Sequence, residues 1–112
     1  MVGIVLILKT EKMEVAKINL MNLVQATSTN ADGEVLCKVM EMAIRDGNVI
    51  ELSLMDASPF SSSFLNSSFG ALWENFGDDT LKGRVRITNY QPTRRDQIFD
   101  YLTKLRQVSS NK

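Results

Sequence analysis

Between Asn48 and Phe76 the apolar residues change period, which places a strand, a turn and a helix in one stretch. Ile50, Leu52 and Leu54 fall on one side and Val49, Glu51, Ser53 and Met55 on the other, the period of two that a strand requires. Further on, Phe64, Leu65, Phe69, Leu72, Trp73 and Phe76 recur at helical spacing, so these aromatics read as core. Asp56 to Phe60 supply the turn chemistry between the two patterns. Ser61, Ser62 and Ser63 stand just before the first periodic apolar residue. A helix N-cap belongs there, because a hydroxyl oxygen can accept a bond from a first-turn amide. The same end of a helix carries outward N–H groups and the positive end of the dipole. A phosphate on one of these serines would be electrostatically tolerated and readable by a partner.

The rest of the chain gives clear elements of the same two kinds. Val2 to Leu8 is a near-continuous Val/Ile/Leu run, the pattern of a strand covered on both faces, and Glu14 to Leu20 alternates, so the two read as a hairpin. Asn22 to Gly33 reads as a polar turn. Val35, Leu36, Val39, Met40, Ala43 and Ile44 then mark a helix ending at Asp46-Gly47, where glycine suits the left-handed C′ position. Gly70, inside the second helix, costs about 1 kcal/mol relative to alanine unless close packing requires it. Gly77-Asp-Asp ends that helix. Arg84 to Thr88 alternates, Val85 and Ile87 inward and Arg84, Arg86 and Thr88 outward. Pro92-Thr93 opens a last helix with Ile98, Leu102 and Leu105, and residues 109–112 read as a frayed tail. The order is β-β-α-β-α-β-α in a single domain spanning residues 1–112, with residues 1–12 as an extra N-terminal strand. This predicts an α/β fold with a mixed sheet of about four strands, antiparallel in the opening hairpin and parallel elsewhere. Outward Lys17, Glu51, Arg84 and Arg86 predict one polar sheet face, with three helices packed mainly on the other.

Composition narrows the function. The chain has no histidine, a single cysteine at Cys37, and no P-loop, Gly-rich dinucleotide loop or metal-ligand cluster. The usual general base and transition-metal ligand are therefore missing, and the expectation is a protein that is not an enzyme, with no cofactor and no metal. Val2 to Leu8 is too short to span a bilayer and has no basic residues before it, so a cytoplasmic protein without a membrane partner is expected. That apolar strand at a sheet edge would also favour a homodimer. Net charge is zero but uneven: residues 1–81 hold five Lys/Arg against eleven Asp/Glu, giving −6, and residues 82–112 hold eight against two, giving +6. The basic third reads either as a solvated surface or as a nucleic-acid or phosphate patch built on Arg84, Arg86, Arg94 and Arg95 with Lys104 and Arg106. Few aromatics interleave with these cations, which weighs against single-strand binding.

The serine junction resembles the STAS-like domain family, small prokaryotic relatives of the sulfate transporter and anti-sigma-factor antagonist domain. Phe60-Ser-Ser-Ser-Phe64 is similar to the family's Ile-Ser-x-Ser-Phe helix opening, Arg86-Ile-Thr-Asn89 to its last strand ending near an asparagine, and Gly33-Glu-Val-Leu36 falls where its first helix carries a glycine. The likeness covers roughly Ile18 to Leu105. It departs where the family's strand-end aspartate falls on Ser53, its glycine on Asp56, and its Ser-Arg pair near Thr29 and Asn30. The resemblance implies a regulatory protein-interaction module that binds an ATPase-fold kinase or regulator in trans. It also implies a phosphorylation switch at Ser62, with Ser61 and Ser63 as alternatives, and a partner surface formed by Asp56, Ser58, Ser61, Ser62, Ser63 and Asn66.

Overall fold

The structure, a computed structural model, describes residues 14–110. Its sheet has three strands, β1 (Val15–Asn19), β2 (Val49–Ser53) and β3 (Val85–Thr88), in the order β1-β2-β3 and parallel throughout. The strand expected over Val2–Leu8, and with it the antiparallel hairpin, lies outside the described residues. Register sorts the side chains into two faces. Ala16, Ile50 and Val85 form one row and Ile18, Leu52 and Ile87 the next, and all six join the apolar core. On the opposite face Lys17, Glu51 and Arg86 form a charged row followed by Asn19, Ser53 and Thr88. Lys17, Glu51 and Arg86 lie on the expected polar face, Arg84 does not, and the helices cover the apolar face.

Parallel neighbours need crossovers. The first runs through α1 (Leu20–Leu23), a single turn that starts on the last residue of the expected strand, and α2 (Asn30–Arg45), which begins inside the stretch expected as a polar turn over Asn22–Gly33. Thr29 caps α2, its hydroxyl accepting from Asp32 N at 3.1 Å. Leu36, Cys37, Met40, Ala43 and Ile44 face inward at helical spacing. At the far end Gly47 adopts φ +84°, its N–H donates to Ile44 O, and Asn48 N–H donates to Ala43 O at 2.9 Å. Those paired bonds satisfy carbonyls that a helix end otherwise leaves open. Cys37 lies buried, and its thiol is pushed up to about 12 by burial, with the Glu41 hydrogen bond and charge adding to it.

The second crossover is one broken helix followed by another. Ser62–Leu65 (α3) continues through a π-helical turn, Asn66–Gly70, into α4 (Ala71–Phe76). Ser68 Oγ donates to Phe64 O at 2.6 Å and Ser67 Oγ to Ser63 O at 2.8 Å, while Ala71 N–H reaches back to Asn66 O. Hydroxyls bonded back onto carbonyls one turn earlier widen the ladder, which is how a π turn is held. Glycines let both neighbouring helices approach this helix closely. A Cβ on Gly33 would lie 2.7 Å from Phe64 O and nearer still to Ser67 Oγ, and one on Gly70 would overlap the Tyr101 hydroxyl.

Gly77, at φ +89°, ends α4 as expected, but the chain then forms a further helix, α5 (Asp78–Arg84), that is not among the three expected. Asp78 and Asp79 sit in its first turn and Lys82 and Arg84 in its last, matching the helix dipole. The last helix, α6 (Pro92–Ser110), buries Ile98 and Leu102 and runs through Ser110, and the end of the tail expected over 109–112 lies outside the described residues.

Candidate functional site

The crest of the molecule lies at the carboxyl ends of the strands, where open α/β sheets present their binding loops. After β2, Leu54 N donates to Thr88 O at 2.9 Å, and the chain turns through Asp56 at φ +62°. Asp56 occupies the position where the resembled family carries glycine, and aspartate tolerates this left-handed backbone better than most residues. Ser53, in place of the family's aspartate, accepts from Asn89 Nδ2 at 3.0 Å and from Met55 N at 3.3 Å. That hydroxyl therefore ties the ends of β2 and β3 together.

From Ser58 to Ser61 the loop is held from two sides. Thr27 is buried, its hydroxyl reaches the carbonyls of both Ser58 and Pro59 at 3.1 Å, and its own carbonyl accepts from Ser61 N at 3.0 Å. On the other side the Gln97 amide brackets Phe60, Nε2 donating to its carbonyl and Oε1 accepting from its N–H, each at 3.2 Å. Arg94 Nη1 donates to the same Oε1 at 2.9 Å. The Phe60 ring stacks on Phe64, centroids 5.5 Å apart. Thr27 and Gln97 act across 31 to 37 residues, and neither was singled out in the sequence. Arg94, Gln97 and Tyr101, at i, i+3 and i+7 of α6, form a polar stripe that could have revealed Gln97.

On this frame the three serines divide their roles. Ser61 caps α3, its Oγ accepting from Phe64 N at 3.0 Å. Ser62 and Ser63 occupy the first turn and are exposed. No acidic residue stands in that turn, so the positive end of the helix meets no carboxylate of its own. Asp56 and Ser58 are exposed on the same crest, and Asn66 lies one turn along, its Oδ1 accepting from Tyr101 Oη at 2.6 Å. Burial, and secondarily the Glu74 charge, raises the Tyr101 phenol above its ordinary value.

Arg84 does not join the expected basic patch. Arg84 belongs to the end of α5 rather than to the strand, and its guanidinium does not face outward as expected. Nε and Nη2 donate to Asn48 O at 3.0 and 2.6 Å, and Nη2 also to Ile44 O at 3.1 Å, closing the carboxyl end of α2. Arg84 precedes β3, whereas Arg94 and Arg95 follow it, so the strand separates them. Arg86 lies on the open face of the sheet. Arg95 stacks on the Phe99 ring at 4.3 Å and on Tyr90 at 5.7 Å.

Among the described residues no three His, Cys, Asp or Glu side chains gather where a metal could be held, and no helix is long and apolar enough to cross a membrane. No curated protein and no solved structure is significantly similar to the chain. Residues 32–94 match the family described as a STAS-like domain of unknown function (DUF4325). That match takes in α2, the serine crest and the bonded ends of β2 and β3, and it spans more than half of the chain, which therefore belongs to this STAS-like family.

Proposed function

We propose that this chain is a non-enzymatic regulatory module, similar to anti-sigma-factor antagonists, that binds an ATPase-fold kinase or regulator in trans through the serine crest and is switched by phosphorylation of Ser62. The observation that carries the reading is the division of labour among the serines. Ser61 spends its hydroxyl oxygen on the cap, while Ser62 and Ser63 stay exposed on a backbone that Thr27 and Gln97 hold fixed. A phosphate there brings about −1.5 to −2 charges to the positive end of a helix, where it is tolerated by the chain itself and repels an acidic partner surface.

Ser63 serves less well than Ser62 because its carbonyl already anchors Ser67 and because the resemblance aligns Ser62 with the modified position. Affinity capture tests the reading. An ATPase-fold protein retained by the wild-type chain and by Ser62→Ala, but released by Ser62→Asp, supports the switch. Equal retention by all three counts against it. The nucleic-acid reading keeps less support, since Arg84 is committed to the end of α2 and Arg94 donates to Gln97.

A further inference from the structure

The carboxamide of Asn66 stands one helical turn along from Ser62. Asn66 N–H donates to Ser62 O, so the two residues share one helix face, and both are exposed. Cα–Cβ bonds in a helix tilt toward its N-terminus, which leans the Asn66 side chain back over Ser62. Tyr101 reaches across from α6 and fixes which end of the carboxamide is engaged. Its hydroxyl lies 2.6 Å from Asn66 Oδ1, the length of an O–H···O bond and shorter than N–H···O bonds usually run. Gly70 leaves room for that hydroxyl, since a Cβ there would overlap it. Burial, with the Glu74 charge adding to it, raises the Tyr101 phenol, which therefore stays protonated and keeps donating. Oδ1 is thus occupied, while the Nδ2 hydrogens of Asn66 are bonded to no other group among the described residues.

We propose, on the reading that Ser62 is the modified serine, that Asn66 Nδ2 receives the Ser62 phosphate within the same chain, and that Tyr101 is the positioning residue that keeps those donors free. The two groups are complementary. A phosphate brings strong acceptor oxygens, and a carboxamide whose own oxygen is engaged has only donors left to offer. Side chains at i and i+4 of a helix have Cβ atoms about 5–6 Å apart, a gap that a phosphoryl group and a carboxamide close to hydrogen-bond contact. Position selects Ser62 among the three serines. Ser61 stands at i−5 from Asn66, off its face, and its oxygen holds the cap. One turn on from Ser63 comes Ser67, whose hydroxyl already donates to Ser63 O at 2.8 Å. Phosphorylation of Ser62 then changes the crest twice over, adding negative charge and taking up the amide donors that a partner meets on the unmodified chain.

Phosphoserine installed at Ser62 of the full chain during synthesis tests this without the kinase, with the Asn66 Nδ2 hydrogens followed by heteronuclear NMR. Their exchange with solvent should slow about tenfold relative to the unmodified chain, and one of them should move downfield, as a bond to a charged acceptor requires. Tyr101→Phe removes only the hydroxyl and should lose most of that slowing while the far-ultraviolet circular dichroism stays unchanged. Asn66→Asp, at an exposed position, sets a carboxylate where the donors were, so the phosphate should lower its melting temperature more than that of wild type. No slowing in the phosphorylated wild type, full slowing in phosphorylated Tyr101→Phe, or the same change in melting temperature for wild type and Asn66→Asp would overturn the proposal. None of these results depends on finding phosphate in protein from the host, whose absence would instead overturn the reading of Ser62 as a switch.

Discussion

The Gln97 side chain pairs with both backbone groups of Phe60, accepting from its N–H and donating to its carbonyl at 3.2 Å each. This couple joins α6 to the loop that presents the serines, across 37 residues of sequence. Gln97→Ala leaves both Phe60 groups without these partners and should cost about 1–3 kcal/mol. Urea unfolding measures the loss, and hydrogen exchange should show faster opening at Ser61 to Phe64. Gln97→Glu keeps the acceptor for Phe60 N and Arg94 but sets a carboxylate oxygen against the Phe60 carbonyl, so its cost should fall between those of wild type and Gln97→Ala.

Neighbouring serines should respond differently to the same change. Ser61→Ala removes the α3 cap and should cost about 1 kcal/mol, whereas Ser62→Ala should stay within about 0.5 kcal/mol of wild type. Thermal melts of the two variants side by side check this. Equal costs would mean that Ser61 does not carry the cap alone.

Arg84 should behave as a structural residue. Arg84→Lys cannot serve Asn48 O and Ile44 O with the geometry of a guanidinium and should lose about 1–2 kcal/mol in chemical unfolding. Retention on heparin should be the same for Arg84→Ser as for wild type. A marked drop in retention would return the basic patch to consideration.

Asp78 sets an acid dependence. The Arg106 hydrogen bond, helped by Lys82 and Trp73 and opposed by desolvation, holds its carboxyl below the usual aspartate range. A folded-state value below the unfolded one stabilises the fold above the unfolded value, and that contribution is lost as pH falls through the folded value. Asp78→Asn should therefore lower the melting temperature at neutral pH. The gap between variant and wild type should narrow progressively as the solution is acidified below the ordinary carboxylate range. A gap independent of pH would assign the effect to packing.

Local period made much of this architecture readable. Val49 to Ser53 alternates, Leu36 to Ile44 keeps a helical stripe, and Gly47 marks the stop, so β2 and the end of α2 lie where expected, while the start of α2 at Asn30 falls in the expected polar turn. The serine cap was legible too, because N-cap chemistry acts over three residues. What could not be read was set by distant partners. Arg84 fits an alternating pattern with Arg86 by type, yet its guanidinium is drawn to the carbonyls of Ile44 and Asn48, 36 to 40 residues back, and the backbone there is helical. For α5 the signal is present, acids in the first turn and bases in the last, but the same Gly77-Asp-Asp also marks the end of α4 and masks it. Thr27 and Gln97 position the crest through contacts that leave no local pattern. Gly33 belongs to both kinds: the resemblance marked its place in the helix, but only the approach of Phe64 O and Ser67 explains why a side chain is excluded there.

Peptide mass spectrometry on the protein purified from its own host tests the central claim most directly, through the tryptic fragment from Asp46 to Lys82. A single phosphate on Ser62 is expected under at least one growth condition, with Ser61 unmodified because its hydroxyl oxygen serves the cap. A fragment that carries no phosphate under any condition, or carries it on Ser61 instead, would contradict the account and leave the serine crest as a constitutive surface.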